Sequence, residues 1–207
     1  MTRLSAFRGC DAPSHAFRPV HRALVGLGLA LLCSCTLIQR PEPLTTLRLP
    51  LAGADLAWPA ALATGRVDST SALRSHRVLV VDGAVLMQHE GLRWVDTPAV
   101  MWSEQLRALH ARAANTGAAK ASLDLWLGDF NLRVGTDRTR EAVVSAHASL
   151  RCAGSERSIA VPPVSASVAM AGSEPQALAQ AFGQASGEVL AALLEQTSER
   201  AADCAAP

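Results

Sequence analysis

The chain has 207 residues, of which 49% are hydrophobic and 18% are charged, and its formal net charge is +1. This length fits one domain with room for a hydrophobic core. The near-neutral charge excludes the basic balance that is typical of nucleic-acid-binding proteins, and it also argues against electrostatic attachment to anionic lipid.

The N-terminal segment resembles the signal peptide of a bacterial lipoprotein. An apolar run over residues 23–32 follows several basic residues, which is the pattern of a secretory signal. The run ends in Leu32-Cys33-Ser34-Cys35, which is similar to a lipobox. In lipoproteins, the cysteine of this motif receives diacylglycerol and acyl chains such as palmitate, and the preceding peptide is removed. The resemblance therefore implies lipidation at Cys35 after a signal peptide over residues 1–34.

The alternative interpretation of this segment is a transmembrane or buried helix. The apolar run has ten residues, whereas a membrane-spanning helix needs about 20, so no transmembrane span is expected. Residues 35–45 include two prolines and are expected to form an extended tether. Thr36 stands where many lipoproteins retained at the inner membrane of Gram-negative bacteria have aspartate, which favours the outer membrane, facing the periplasm.

Removal of the signal peptide changes both the charge and the cysteine count. Of the 207 residues 173 remain, with 15 basic and 17 acidic side chains and a net charge of −2. Two cysteines remain besides Cys35, namely Cys152 and Cys204. Because the periplasm is oxidising, these two are candidates for a disulfide that ties the C-terminal tail to the sheet. The alternative is two independent thiols.

Apolar and alternating runs in the first half of the chain predict the beginning of a sheet. The run Arg77–Asp82 is nearly all apolar and rich in valine, which predicts a central strand covered on both faces. The other expectations are a first edge strand over Thr46–Leu51, mostly loop over 52–75, and a short hairpin formed by Val85–Glu90 and Leu92–Val95 around Gly91.

Two amphipathic helices are predicted from apolar residues at helical spacing. The first is expected to begin at Pro98 after a capping Thr97 and to end at Asn115-Thr116-Gly117. The second is expected to begin with a capping box of Ser173 and Gln176. Their apolar stripes are Met101, Trp102, Leu106, Leu109 and Ala113 in the first helix, and Leu178, Phe182, Ala185, Val189 and Leu193 in the second.

The segment between these helices has the pattern of antiparallel strands. From Ala121 to Gly135, apolar residues alternate in two phases that change at Gly128-Asp129, which predicts a β-bulge. Residues 142–152 alternate between apolar and polar types, which predicts a half-buried strand with Cys152 facing inward. A third strand, Arg157–Val161, is expected to end at Pro162-Pro163.

Together these elements predict an α+β fold, with an antiparallel sheet that contains a bulged long strand and with two main helices packed on one face. The expected organisation is a signal peptide over 1–34, a membrane tether over 35–45, a single α+β domain over 46–200 and a tail over 201–207.

The sequence contains no recognisable catalytic or metal-binding motif. His89-Glu90 is a lone pair in the predicted hairpin, and His110 and His147 are expected on the surface. Asp124 and Asp129 could in principle act as paired carboxylates, but the predicted bulge separates them. We therefore expect neither an enzyme nor a bound cofactor or metal, and a binding or assembly module instead.

Arg93-Trp94-Val95-Asp96-Thr97-Pro98 resembles the signature of the ABC-type transport auxiliary lipoprotein family, also called PqiC-like. Members of this family have a Trp-x-Asp/Glu-x-Pro run that opens a helix after a hairpin. Leu47-Arg48-Leu49 and Leu123–Phe130 are similar to the family's first strand and to its bulged strand. The resemblance thus covers most of the chain after Cys35. The chain departs from the family in having no tyrosine, and His89 and Leu92 stand where aromatic residues are more typical.

The resemblance implies an accessory subunit of an ABC/MCE-type system that transports lipid between the two membranes. The lipid anchor would hold it at the outer membrane, and the domain would dock on a periplasm-spanning protein of the MCE type and on its transporter complex. A ring-forming homo-oligomer is one arrangement that the resemblance implies. The hairpin over 85–95, with His89, Leu92, Trp94 and Asp96, is the predicted partner face.

Two other classes of function remain open from the sequence. One is an assembly lipoprotein of another envelope machine, such as a secretin pilot or a lipopolysaccharide export subunit. The other is a periplasmic hydrolase or small-ligand binder, which would need a concave pocket with perturbed titratable groups.

Overall fold

The computed structural model describes residues 43–50, 56–113 and 118–205. Within them, seven strands form one sheet and two long helices pack against it, so the α+β class is confirmed. The strands are β1 (Thr45–Leu47), β2 (Leu62–Ser69), β3 (Arg77–Asp82), β4 (Val85–Trp94), β5 (Ala121–Val134), β6 (Arg140–Cys152) and β7 (Ser158–Ala169). The helices are α1 (Pro98–Arg112) and α2 (Pro175–Arg200).

The sheet is mixed, whereas the sequence pattern predicted an antiparallel one. Its strand order is β1-β4-β3-β5-β6-β7, and β2 lies beside the first half of β5. The pairs β1/β4, β2/β5 and β3/β5 are parallel, and the other pairs are antiparallel. Parallel neighbours need a crossover connection. For the parallel pair β3/β5, β4 and α1 form this connection, because both lie between β3 and β5 in the chain.

The long strand β5 has the predicted bulge. Its register with β6 shifts between Leu127 and Asp129, and both alternating phases, Leu123 to Leu127 and then Phe130 and Leu132, are buried. A Cβ atom on Gly128 would lie 2.8 Å from Ser145 Oγ. The same Oγ accepts a hydrogen bond from the Asp129 backbone N–H at 2.8 Å. A larger residue at position 128 would therefore have to displace the Ser145 hydroxyl from its hydrogen bond across the bulge.

The predicted hairpin around Gly91 is wrong, because residues 85–94 form the single strand β4. The chain reverses earlier, between Asp82 and Val85, which pair directly. Gly83 has a φ of +56° in this turn, a conformation that glycine adopts without strain. Gly91 lies within β4, where the pairing with β3 shifts from Leu79↔Gln88 to Arg77↔Arg93. It marks an irregularity within one strand instead of a reversal.

Three other element boundaries differ from the sequence prediction. The region 52–75 contains the strand β2, which has no sustained period because it shifts register between Thr64 and Val67. The strand β7 continues through Pro162-Pro163, since among the described residues it pairs only with β6 and its register shifts near these prolines. The first strand ends at Leu47 and includes Thr45.

Both helices carry the apolar stripes that their spacing predicted. Every predicted stripe residue is buried except Ala113, which is half-buried after the end of α1. The N-termini differ in detail: the Thr97 side chain makes no capping hydrogen bond, and Glu174 occupies the capping position of α2 in place of Ser173. The two stripes and the buried face of the sheet belong to one hydrophobic cluster.

Several predictions concern residues outside the described ranges. These are the signal peptide, the lipidation site Cys35, most of the tether, and the helix stop at Asn115-Thr116-Gly117. In the part of the chain that the structure describes, no helix is long and apolar enough to cross a membrane.

Candidate functional site

One of the four residues of the predicted partner face, Trp94, is part of the core. Its side chain is 1% exposed. The ring centroid of Trp94 lies 5.3 Å from that of Phe130 on β5 and 5.1 Å from that of Phe182 on α2, both in edge-to-face orientation. Aromatic rings in this arrangement stabilise a core beyond the area they bury. The family-like tryptophan is therefore a packing residue, and its place in the partner face is corrected.

The other three residues of the predicted face are half-buried and serve the local backbone. His89 Nδ1 accepts a hydrogen bond from the Gly91 N–H at 3.2 Å. Asp96 Oδ1 accepts one from the Thr97 N–H at 2.8 Å, next to the start of α1. Leu92 packs against the hydrophobic core.

The exposed apolar surface lies at the other end of the same strand. Val85, Leu86 and Met87 are 57%, 53% and 45% exposed, and we call these three residues the hairpin tip. Consecutive residues of a strand point to opposite faces, so the hairpin tip is apolar on both sides. Among the described residues, β3 alone pairs with this part of β4, because β1 reaches only Leu92–Trp94.

The hairpin tip could have been found from the sequence. Asp82-Gly83 is a strong turn signal between two apolar runs, and the second run, Ala84–Met87, includes the hairpin tip. The turn predicted at Gly91 lies at the base of the hairpin, so the prediction missed its tip.

The C-terminal tail is tied to the sheet by covalent and polar contacts. Cys152, at the end of β6, forms a disulfide with Cys204, and their Cα atoms are 5.2 Å apart. Arg157 donates a hydrogen bond to the Asp203 carbonyl at 3.2 Å, and Arg200 donates one to the Ala160 carbonyl at 3.0 Å. These contacts hold the end of α2 against β7.

Asp124 and Asp129 have separate structural roles. The Asp129 carboxylate accepts hydrogen bonds from Ser145 Oγ at 2.7 Å and from the Asn131 side chain at 3.3 Å, across the bulge. Asp124 pairs with Arg151 and accepts a hydrogen bond from the Arg66 N–H. Burial raises the pKa of Asp124, but the hydrogen bonds and charges of Arg66 and Arg151 outweigh it, so this pKa lies below its usual value.

The histidines that were considered for chemistry lie beside tryptophans. The ring centroids of His147 and Trp126 are 6.4 Å apart in a stacked arrangement, and those of His110 and Trp58 are 5.5 Å apart, edge to face. Among the described residues, no group of three or more His, Cys, Asp or Glu side chains could hold a metal ion.

Two open grooves lie beside β1. The first has a volume of about 640 Å³ and runs along α1. Gln105 lies at its wall, where its side-chain amide donates a hydrogen bond to the Pro50 carbonyl at 2.9 Å. The second groove has a volume of about 660 Å³, and its wall includes Arg74, His76, Arg77 and Arg93. The described residues thus present surface grooves and an apolar hairpin tip.

Comparison with known proteins shows the fold. No family model and no curated protein matches the sequence. A crystal structure of a Xanthomonas campestris protein, described as belonging to the family DUF330, matches with a TM-score of 0.63 at 16% identity, over 80% of this chain and 96% of that one. A second solved structure, described as an uncharacterized protein, matches with a TM-score of 0.50 at 14% identity, over 79% of this chain and 97% of that one.

Proposed function

We propose that the protein is an outer-membrane-anchored periplasmic lipoprotein that serves as a docking adaptor of an ABC/MCE-type lipid transport system. In this proposal, the acyl chains on Cys35 hold it in the membrane, and residues 36–43 set its reach. Two or more acyl chains hold a protein on a membrane durably. The domain acts by binding a periplasm-spanning partner, and it has no catalytic role.

Three observations support this proposal at different levels. The lipobox-like Leu32-Cys33-Ser34-Cys35 supports the anchor. The run from Arg93 to Pro98 supports kinship with the auxiliary lipoproteins. The likeness of the fold to a DUF330 protein agrees with this kinship, since DUF330 is the PqiC-like family.

The observation that carries the docking role is the hairpin tip. Exposed apolar residues are common singly, but contiguous exposed apolar patches are typical of interaction sites. Val85 and Met87 are neighbours on one face of β4 and Leu86 lies on the other, and all three are more than two-fifths exposed. They lie on β4. Between Val85 and Gly91, the edge of β4 that faces away from β3 has no strand partner among the described residues. A partner can therefore add both apolar contacts and backbone hydrogen bonds here.

A pull-down from detergent-solubilised envelopes tests this proposal. We expect the acylated wild-type chain to recover an MCE-type protein, and Leu86→Asp to recover at least tenfold less of it. Val100→Asp is the matched control, because Val100 is an exposed apolar residue on α1 at 41%. Thermal unfolding of both variants checks that the fold is intact.

Other recoveries would contradict the proposal. A secretin or a lipopolysaccharide export subunit would favour the alternative of an assembly lipoprotein. Equal recovery of the MCE-type protein by both aspartate variants would keep the transport system as partner but remove the hairpin tip as the docking surface.

A further inference from the structure

The groove beside β1 and the base of β4 is lined by positively charged side chains. We call it the basic groove, and it is lined by Leu44, Thr46, Arg74, His76, Arg77 and Arg93, together with Ser75, Trp94 and Val95. Three of these residues are arginines, and no aspartate or glutamate is among them. The net charge near zero is a property of the whole chain, whereas screening limits electrostatic attraction to about 8–10 Å. Local charge therefore decides whether this surface attracts anions.

The arginines of the basic groove have mostly neutral partners. Arg77 donates to the Glu90 carbonyl at 3.3 Å, and Arg93 Nε donates to Thr46 Oγ1 at 3.0 Å. Arg74 lies 3.9 Å from the Asp68 carboxylate, but both side chains are more than half exposed, so this pair is weak. Each guanidinium has five N–H donors and matches the geometry of phosphate.

The basic groove lies where the tether enters the domain. Leu44 is 38% exposed and forms part of the groove wall. It follows Cys35 by nine residues. A fully extended chain of this length spans at most about 30 Å. If Cys35 carries acyl chains, as the proposed function requires, the basic groove is thus the part of the domain closest in sequence to the membrane. Val95, at 44% exposure, adds a second apolar side chain beside it.

We propose that the basic groove binds the phosphate groups of anionic phospholipids in the leaflet that holds the acyl chains of Cys35. This inference rests on the anchor of the proposed function. It also gives the domain an orientation. Arg93 and Leu86 lie seven residues apart on β4, which corresponds to roughly 20 Å along a strand. Docking the groove on the membrane keeps the base of β4 at the surface and leaves the hairpin tip free for a periplasmic partner.

Arginine footprinting of the full acylated chain tests the proposal. The chain is reconstituted in nanodiscs of phosphatidylcholine, with or without phosphatidylglycerol, and treated with phenylglyoxal. Mass spectrometry then gives the modification rate of each arginine. With phosphatidylglycerol, we expect the rates of Arg74, Arg77 and Arg93 to fall roughly fivefold each, which corresponds to the attraction of one arginine to an anionic surface. High salt should restore them.

The opposite end of the sheet provides internal controls. Arg133, Arg138 and Arg140 are exposed at the β5–β6 turn, and their rates should not depend on the lipid. Equal rates in both lipids for the groove arginines would overturn the proposal. Equal slowing at all six arginines would also overturn it. Slowing caused by inorganic phosphate in phosphatidylcholine discs, to the same extent as by phosphatidylglycerol, would identify a free-phosphate site in place of a membrane site.

A pair of charge-matched variants provides a second readout. One variant replaces Arg74, Arg77 and Arg93 by glutamine, and the other replaces Arg133, Arg138 and Arg140. Energy transfer from the native tryptophans to a dansyl-labelled headgroup lipid should fall to the phosphatidylcholine level in the first variant and stay at the wild-type level in the second. No difference between the variants would contradict the proposal.

The proposed function can fail independently of the basic groove. The intact mass of the purified chain shows whether Cys35 is acylated, and an unmodified mass would overturn both proposals. An acylated chain without lipid-dependent footprints would overturn the basic groove alone. Loss of MCE-type capture in Leu86→Asp, with footprints unchanged, would support the docking role separately.

Discussion

The two ends of β4 are both apolar, but they have opposite environments. Trp94, at one end, is 1% exposed, whereas Leu86, at the other, is 53% exposed. The Trp94 end lies between β1 and β3 and contacts Phe182 of α2. The Leu86 end has β3 as its strand partner. Hydrophobicity alone thus does not separate a core residue from a docking residue, because the number of covering elements decides between them.

The largest difference between the two ends should appear on truncation. We expect Trp94→Ala to lower the free energy of unfolding by about 3–5 kcal/mol, since a large buried ring is lost. Leu86→Ala should change it by less than about 0.5 kcal/mol, as an exposed residue does. Urea unfolding of both variants measures these values. Similar losses in the two variants would mean that the contrast along β4 is wrong.

A more conservative change sharpens the same point. Trp94 Nε1 is buried and has no hydrogen-bond partner among the described residues. Trp94→Phe should therefore cost less than Trp94→Ala, because it keeps an aromatic ring against Phe130 and removes an unpaired polar group.

The covered side of the sheet is also cross-linked. Replacing both Cys152 and Cys204 by serine should lower the free energy of unfolding by about 2–4 kcal/mol, since the disulfide closes a loop between residues 52 apart. Urea unfolding with and without a reductant measures this effect. If the reductant left the wild-type midpoint unchanged, the disulfide would not be a source of stability.

Gly65 and Gly91 both lie next to irregularities in strand pairing, but an added side chain would be more crowded at Gly65 than at Gly91. A Cβ atom on Gly65 would lie 2.5 Å from the Leu123 carbonyl oxygen, whereas one on Gly91 would meet only the His89 ring, at 3.9 Å. We expect Gly65→Ala to lower stability by about 1–3 kcal/mol through this overpacking. Gly91→Ala should be close to neutral. Thermal unfolding checks both variants, and a larger loss for Gly91→Ala would reverse the comparison.

The smallest expected effect concerns the Asp124–Arg151 pair on the sheet. Because the pKa of Asp124 in the folded state lies below its usual value of 3.8, its ionised form adds stability above that pH. This stability is lost as the pH falls below 3.8 toward the lower pKa of the folded state. Arg151→Gln should cost less than about 1 kcal/mol at neutral pH, and the cost should shrink in acid. Unfolding curves over this pH range test the sign.

The pattern of apolar residues determined how much of the secondary structure could be predicted from the sequence. The β3 boundaries followed from a continuous apolar run, the bulge at Gly128 from a change of alternating phase, and the stripes of both helices from unbroken periods. The strand β2 could not be found this way, since Gly65 and the register shift interrupt its alternation. The strand β7 passes through Pro162-Pro163 because it is an edge strand with a local shift in register, and edge position is not visible in a single sequence.

The candidate site was harder to predict than the fold. The resemblance indicated Trp94 as a partner residue, but the burial of Trp94 depends on β1 and α2, which are distant from it in the chain. The basic groove likewise combines Leu44, Arg74 and Arg93 from separate segments. The net charge of the whole sequence, which is near zero, does not reveal this local cluster of arginines.

Site-specific photo-crosslinking in intact cells can show directly whether the hairpin tip docks on an MCE-type protein. A photoreactive amino acid replaces Leu86 in one strain and Val100 in another, and adducts are identified by mass spectrometry. We expect an adduct with an MCE-type periplasmic protein from position 86 and none from position 100. Adducts with the same protein from both positions, or an adduct with a different envelope machine from position 86, would contradict it.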